Sequence, residues 1–465
     1  MILFTMSFRN LIRHWRKSLS TLFTITIGLT SLIIFAGYNT SIQYSLETAF
    51  VRSFGHLQIQ HSDFLVYGKG NPTKYSIKDY EKVINALKSN DELAKMTTVV
   101  TGHLSTSGIA NYTFNDATRT VWVNGFNVQD KIKMQVWNPN NLRLPKIDAW
   151  PADFKENDIT IGSGLALVLR MCDLLPKDYP VPCEPEITSS APSNLEQARL
   201  PDDIIDLTSE SPINSGKRLI DLLITTQSGM PNIGRLEVIG IEKQSSRELD
   251  DIYVGMDLSL LQSLVLYDEA PIATSIIIQL NKTEYMDRAR VLINDILKDQ
   301  FPDQSLTIKD FYSIQPIYLQ IVDMFNGIFG FILVIILIVV TFTVSNTINM
   351  SVMDRINDIG TTRALGLTKN GVRMLFIMEG TILGIFGSFV AIIFSLCVTF
   401  FINKAEMTWF PPGVVNPQLI IINLWTDYEI ILLSIFLMIA ISIFASILPA
   451  QRASKMTIIK ALKHL

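Results

Sequence analysis

The strongest constraint on this chain is the absence of charge from four long stretches. Ser18–Leu46, Met324–Met353, Gly380–Asn403 and Ile430–Gln451 contain no Asp, Glu, Lys or Arg. A helix rises about 1.5 Å per residue and the hydrocarbon core of a bilayer is about 30 Å thick, so roughly twenty mainly apolar residues suffice to cross. Each of the four runs is long enough, and nothing between residues 47 and 310 comes close. The first run has the basic front and apolar middle of a cleavable signal peptide. Its length, and the lack of an Ala-x-Ala-like site after it, point instead to a retained anchor.

Basic residues set the orientation, because the cytoplasmic flanks of spans collect Lys and Arg. Arg9, Arg13, Arg16 and Lys17 precede the first span, and Arg355, Arg363, Lys369 and Arg373 separate the second from the third. Arg452, Lys455, Lys460 and Lys463 follow the fourth, while the loop between the third and fourth has only Lys404. Both termini are therefore expected in the cytoplasm and residues 47–310 outside. The expected division is an amphipathic entry helix at 1–17, the first span and stalk at 18–46, the outer domain at 47–310, and a stalk with the second span at 311–353. A cytoplasmic helix and turn follow at 354–371, then the third span at 372–403, an outer loop at 404–427, the fourth span at 428–451 and a cytoplasmic tail at 452–465.

Between the first two spans the texture is that of a folded α+β domain. "GHLQIQ" (55–60), "TRTVWVNGF" (118–126), "RLIDLLITT" (218–226), "RLEVIGIE" (235–242) and "SIIIQL" (275–280) read as strands, and 77–90 and 282–299 as helices. Residues 173–216 are rich in proline and acid, which predicts an irregular excursion. Cys172 and Cys183 flank its first part. In an oxidising compartment they can close a small loop worth about 3 kcal/mol at most; the alternative is two free thiols. Cys397, inside the third span, reads as a small apolar residue.

Composition excludes several functions. A net charge of -4 over 465 residues offers no basic surface for nucleic acid. There is no G-x-x-x-x-G-K-[ST] loop to cradle phosphates, no H-E-x-x-H and no G-x-S-x-G. "GSG" at Gly162–Gly164 lacks the lysine and reads as the turn between "DITI" and a helix. His56 and His61 are five apart, an odd step that puts them on opposite faces of a strand, so no metal site is expected there. No catalytic constellation or bound cofactor emerges.

Two features of the spans remain. Gly380, Gly384 and Ser388 recur every four residues and form a face on which another helix can pack closely. Glu379 stands about 9 Å along the helix from Arg373, a depth at which its carboxylate is expected to meet headgroups and water. The stretch "RINDIGTTRALGLTKNG" (355–371) reads as a short helix continuing the second span, with Val352, Ile356 and Ile359 on one side and Arg355 able to pair with Asp358 on another. Gly366 can end that helix and Thr368 can cap the next.

At this stretch the sequence resembles a known family. "DRINDIGTTRALGLTKNGVRMLFIMEGTILG" resembles the signature of FtsX-like ABC transporter permeases of the MacB and lipoprotein-releasing type, and "LPAQRASKMTIIKAL" (448–462) is similar to their ending, with Thr457 where a proline is usual. "MSFRNLIRHWRKSLSTLF" resembles their entry helix, and "GHLQI", "ITIGSGLALVLR" and "RLEVIGI" landmarks of their outer domain. The long acidic excursion departs from the pattern. The resemblance implies a permease subunit of the bacterial inner membrane working by mechanotransmission, with Arg355, Asp358, Ile359, Arg363 and Leu365 in a coupling helix that docks on a separate ABC ATPase. ATP and Mg would be held by that ATPase dimer, not by this chain, and a second permease subunit, the same or related, would complete the assembly. A periplasmic adaptor or carrier and membrane lipid are further expected partners. The implied work is extraction or export of a lipoprotein or other hydrophobic substrate. Alternatives are efflux of a toxin, peptide or antibiotic with an adaptor, and non-transporting regulation of a cell-wall hydrolase.

Overall fold

In hydrocarbon a backbone can satisfy its polar groups only within a helix or a closed barrel, and the charge-free runs are helical throughout. The computed structural model describes residues 2–68, 72–112, 117–140, 142, 150–151, 153–175, 183, 218–244, 246–266, 270–409, 418–424 and 428–456. The excursion expected at 173–216 falls outside the described residues, apart from its first three and Cys183, and so does 457–465. The chain divides into two units. One comprises Met1–Tyr44, Ile317–Trp409 and Leu419–Leu465, and the other Ser45–Pro316 with Phe410–Gln418.

The first unit contains α1 (Ile2–Arg13), α2 (Trp15–Phe54) as far as Tyr44, α3 (Pro316–Asp354) from Ile317 on, α4 (Ile356–Ala364), α5 (Lys369–Ala405) and α6 (Tyr428–Lys455). Four of these, α2, α3, α5 and the Ile431–Lys455 part of α6, are long and apolar enough to cross a membrane. The entry helix is interrupted at His14, four residues before the expected start of the first span. Each span buries a narrow stripe. In α3 it is Val340, Val344, Ile348 and Val352, strictly four apart, packed with Ile25, Leu29 and Leu32 of α2 and Phe376 and Leu383 of α5. Other large side chains of α3, among them Phe331, Ile338 and Phe342, are exposed. That division suits a bilayer, where lipid is as good a solvent for Leu as another helix is, and association depends on close fit and hydrogen bonds.

Fit is closest between α5 and α6. A Cβ on Gly380 would stand 1.7 Å from Ser446 Oγ, and one on Gly384 2.9 Å from Ser442 Cβ. The partner of the small-residue face is thus the fourth span of the same chain. Ser388 is buried on that face and its Oγ has no hydrogen-bond partner among the described residues.

The second unit is a mixed α+β domain lying in sequence between the first two spans. Nine strands among the described residues form one sheet: β1 (Leu57–His61), β2 (Thr97–Tyr112), β3 (Ala117–Phe126), β4 (Asp158–Ile161), β5 (Leu219–Thr225), β6 (Pro231–Ile241), β7 (Tyr253–Asp257), β8 (Ser275–Leu280) and β9 (Leu306–Asp310). Their spatial order is β9-β1-β8-β2-β3-β7-β4-β6-β5, with β5 also paired to β2. That extra pairing closes six strands into a ring. The first half of β2 pairs with β8 (Ser275↔His103) and its far end with β5 (Gly108↔Ile224), so one long strand serves both the open and the closed part. β3–β7 and β4–β6 are parallel; the other pairs are antiparallel.

A buried carboxylate pins the helix Val128–Val136 to this sheet. Glu242 Oε1 is 3.0 Å from Lys131 Nζ, while Oε2 accepts from Trp150 Nε1 at 2.7 Å and from the Tyr253 hydroxyl at 2.6 Å. Burial, reinforced by that carboxylate, drives the Tyr253 phenol well above its ordinary range. Cys172 and Cys183 are bridged, with Cα atoms 5.5 Å apart. His56 is buried: Nδ1 accepts from the Leu280 N–H at 3.0 Å, Nε2 faces Thr283 Oγ1 at 3.2 Å, and burial holds the imidazole down to about 3. Its neighbours make it a joint in the fold, and among the described residues no group of His, Cys, Asp and Glu could hold a metal.

Candidate functional site at the elbow between the second and third spans

α3 ends at Asp354 and α4 begins at Ile356, so the chain bends on a single residue, Arg355, whose φ of -118° and ψ of 22° are not helical. Val352, Ile356 and Ile359 are all buried, which seats α4 by its apolar side. Gly366, at φ +105°, supplies the left-handed turn that ends the elbow. Thr368 then caps α5, its Oγ1 accepting from the Gly371 N–H at 3.2 Å. A compact helix–turn–helix thus returns the chain to the third span.

Arg355 does not pair with Asp358, as the sequence allowed. Its side chain turns inward, with Nη1 donating to Glu379 Oε1 at 2.6 Å and Nη2 to Ser351 Oγ at 2.6 Å and Glu379 Oε2 at 3.5 Å. Asn10 Nδ2 of α1 donates to the same Oε1 at 3.1 Å. The expectation that Glu379 meets headgroups and water is therefore corrected: it is 0% exposed. The reason is that a carboxylate in a span seeks a cation or donors inside the bundle, and α1 and the start of the elbow supply both. Beside this knot, Lys17 Nζ and Asp354 Oδ2 are 2.5 Å apart, and Ser7 Oγ donates to the Leu375 carbonyl at 3.1 Å.

The five residues assigned to the elbow's contact surface separate into two groups. Arg355 and Ile359 are buried, at 6% and 5% exposure, and face the spans. Asp358 is exposed, Leu365 is 86% exposed, and Arg363 is half-buried with Nη1 donating to the Met456 carbonyl at the end of α6. An outward surface is formed by Asn357, Asp358, Thr361 and Leu365. Sequence reasoning missed Asn10 and the partner of Glu379. The signal for the second was present: one carboxylate at the inner end of a span has few partners besides the nearest loop arginine. The fourth-span half of the packing seam was legible too, since Ser434, Met438, Ser442, Ser446 and Ala450 recur every four residues and are all buried.

Residues 330–458, which include the elbow, match the family model described as FtsX-like permease C-terminal. The chain is 21% identical over 229 residues to an ABC transporter permease of Methanocaldococcus jannaschii whose role is uncharacterised, covering 49% of this chain and 55% of that one. It is 25% identical over 180 residues to the lipoprotein-releasing system transmembrane protein LolC of Haemophilus influenzae, covering 38% and 44%. It is 24% identical over 240 residues to the ABC transporter permease YtrF of Bacillus subtilis, covering 49% and 52%. The matches span about half the length of these relatives. Among solved structures, the periplasmic region of MacB from Actinobacillus actinomycetemcomitans is similar at TM-score 0.31 and 12% identity, over 57% of this chain and 94% of that one. The extracellular domain of the transporter YknZ is similar at TM-score 0.27 and 14% identity, over 55% and 100%.

Proposed function

With residues 330–458 forming an FtsX-like permease C-terminal domain, we propose that the chain is the membrane subunit of an ABC transporter and works as a lever. The elbow docks on a separate ATPase dimer that holds ATP and Mg, and two permease subunits, identical or related, stand on that dimer. Closure of the ATPases pushes α4. The push passes along α3 and α2 and displaces the α+β unit on the periplasmic side of a bacterial inner membrane, both termini remaining cytoplasmic. The cargo is a lipoprotein or another hydrophobic molecule taken at the outer face, a reading supported by the lipoprotein-releasing relative. A periplasmic adaptor or carrier receives it.

The observation that carries this reading is Leu365. It is a large apolar side chain, 86% exposed, at the tip of a helix whose other side is buried and hydrogen-bonded to the spans. An apolar side chain presented by a fixed polar helix is the arrangement of a contact residue, where desolvated apolar anchors carry much of the binding energy. Purification of the tagged chain from its native membranes, with mass spectrometry of what accompanies it, tests this. A P-loop ATPase and lipid-linked cargo are expected, and Leu365→Glu should strip the ATPase while leaving membrane insertion intact. An ATPase that stays bound to Leu365→Glu, or none with the unaltered chain, contradicts the docking assignment. ATPase accompanied only by free small molecules moves the cargo assignment to efflux.

A further inference from the structure

We propose that Arg355 and Glu379 form a latch that fixes the angle between α3 and α4, so that Arg355 is a positioning residue and not a contact for the ATPase. The latch is a property of this chain alone; its role in force transmission rests on the reading of the elbow given above. Arg355 is the single non-helical residue between two helices, its N–H bonded to the Val352 carbonyl at 3.2 Å and its own carbonyl accepting from the Ile359 N–H at 2.9 Å. Two backbone dihedrals therefore set the direction in which α4 leaves the span. Buried Val352, Ile356 and Ile359 seat α4 against the spans, but apolar contact has little directional preference, and the side chain at the bend supplies it.

Glu379 holds that side chain. One carboxylate takes Arg355 from the hinge, Asn10 from the entry helix and Ser351 from the last turn of α3, at 2.6, 3.1 and 3.4 Å. Lys17 fixes the residue just before the hinge through Asp354. Four segments, α1, the start of α2, the end of α3 and α5, are thereby tied to one bend. A push on α4 then reaches α3 and α5 together and is not lost in rotation about Arg355.

The pair is poorly suited to a purely stabilising role. Desolvating two charges offsets most of their attraction, and apolar residues of similar volume commonly serve stability as well or better. Arg355 Nε, moreover, has no hydrogen-bond partner among the described residues, so the cluster is not fully satisfied. What an arginine–carboxylate pair adds over an apolar contact is direction, since the planar fork meets its acceptor in few orientations. Angle, and not stability, is what it specifies.

Hydrogen–deuterium exchange on the 465-residue chain in lipid nanodiscs, with no partner present, separates the two roles. Glu379→Gln should speed exchange of the amides in 356–364 on the order of a hundredfold, because it leaves a buried arginine without its counter-charge. Should that variant not fold, the apolar pair Arg355→Met with Glu379→Leu decides. It is expected to keep its thermal midpoint while exchange in 356–364 rises about tenfold or more, since packing is restored and direction is not. The exchanged pair Arg355→Glu with Glu379→Arg should recover part of the protection. An apolar pair that keeps both its midpoint and its protection overturns the proposal, and so does one that loses its midpoint, which would make the pair a stability element. Because no ATPase enters the measurement, an error in the partner assignment leaves these outcomes unchanged.

Discussion

His103 lies inside the α+β unit, stacked on Phe126 with ring centroids 4.6 Å apart. Asn124 Oδ1, 3.1 Å away, can only accept, so Nε2 carries the ring proton and Nδ1 accepts from Ser275 Oγ at 3.0 Å. Burial holds this imidazole down to about 4. Below pH 6.5 the unfolded chain binds a proton that the folded unit refuses, so stability is full above that pH and falls as pH drops toward 4, by about 3 kcal/mol at the lower end. His56 acts in the same direction. The thermal midpoint of the chain in detergent should therefore fall between pH 6.5 and 4, and less steeply for His103→Gln; an unchanged slope in the variant contradicts the assignment. At this scale residue types were readable but their partners were not. The spacing of Arg355 and Asp358 permitted a local pair, and it masked the weaker signal from Glu379, twenty-four positions away in sequence, whose place inside a span called for a nearby cation.

The elements that announced themselves were those whose burial follows a simple period. β8, "SIIIQL", is buried at every position, β5 alternates, and the four spans lack charge, so each was evident from residue type alone. β2, the longest strand, was missed because "TTVVTGHLSTSGIANY" is small and polar for most of its length, and its burial comes from being central in the sheet. β7 and β9 are five residues each and carry no period long enough to read. The packing face of α5 was read from glycine spacing, and its geometry makes a graded prediction. Gly380→Ala places a Cβ 2.8 Å from Ser446 Cβ and 3.1 Å from the Ser442 carbonyl, and should cost about 1–3 kcal/mol through overpacking. Ser446→Gly should restore part of the loss. Gly330→Ala, with nothing within 4 Å, should be close to neutral. Thermal midpoints in detergent check all three, and equal losses at Gly380 and Gly330 contradict the seam.

For the whole molecule, charge distribution yielded the plan of one span, a large intervening segment and three further spans, because hydrocarbon penalises charge sharply, and the strand and helix patterns of that segment marked it as α+β. Strand order and the closure of β2 onto β5 were not legible, since pairing across the sheet depends on contacts far apart in sequence. The account requires the elbow and the α+β unit to stand on opposite faces of one membrane. Single cysteines answer this most directly, introduced in a Cys397→Ser background that leaves the bridged Cys172 and Cys183 in place. Leu365→Cys marks the elbow and Val291→Cys, half exposed on the helix Met286–Gln300, marks the α+β unit. With a membrane-impermeant maleimide applied to the outer face of sealed membranes, the account predicts labelling at 291 at once and at 365 only after permeabilisation. Labelling of both positions from the same face would contradict it.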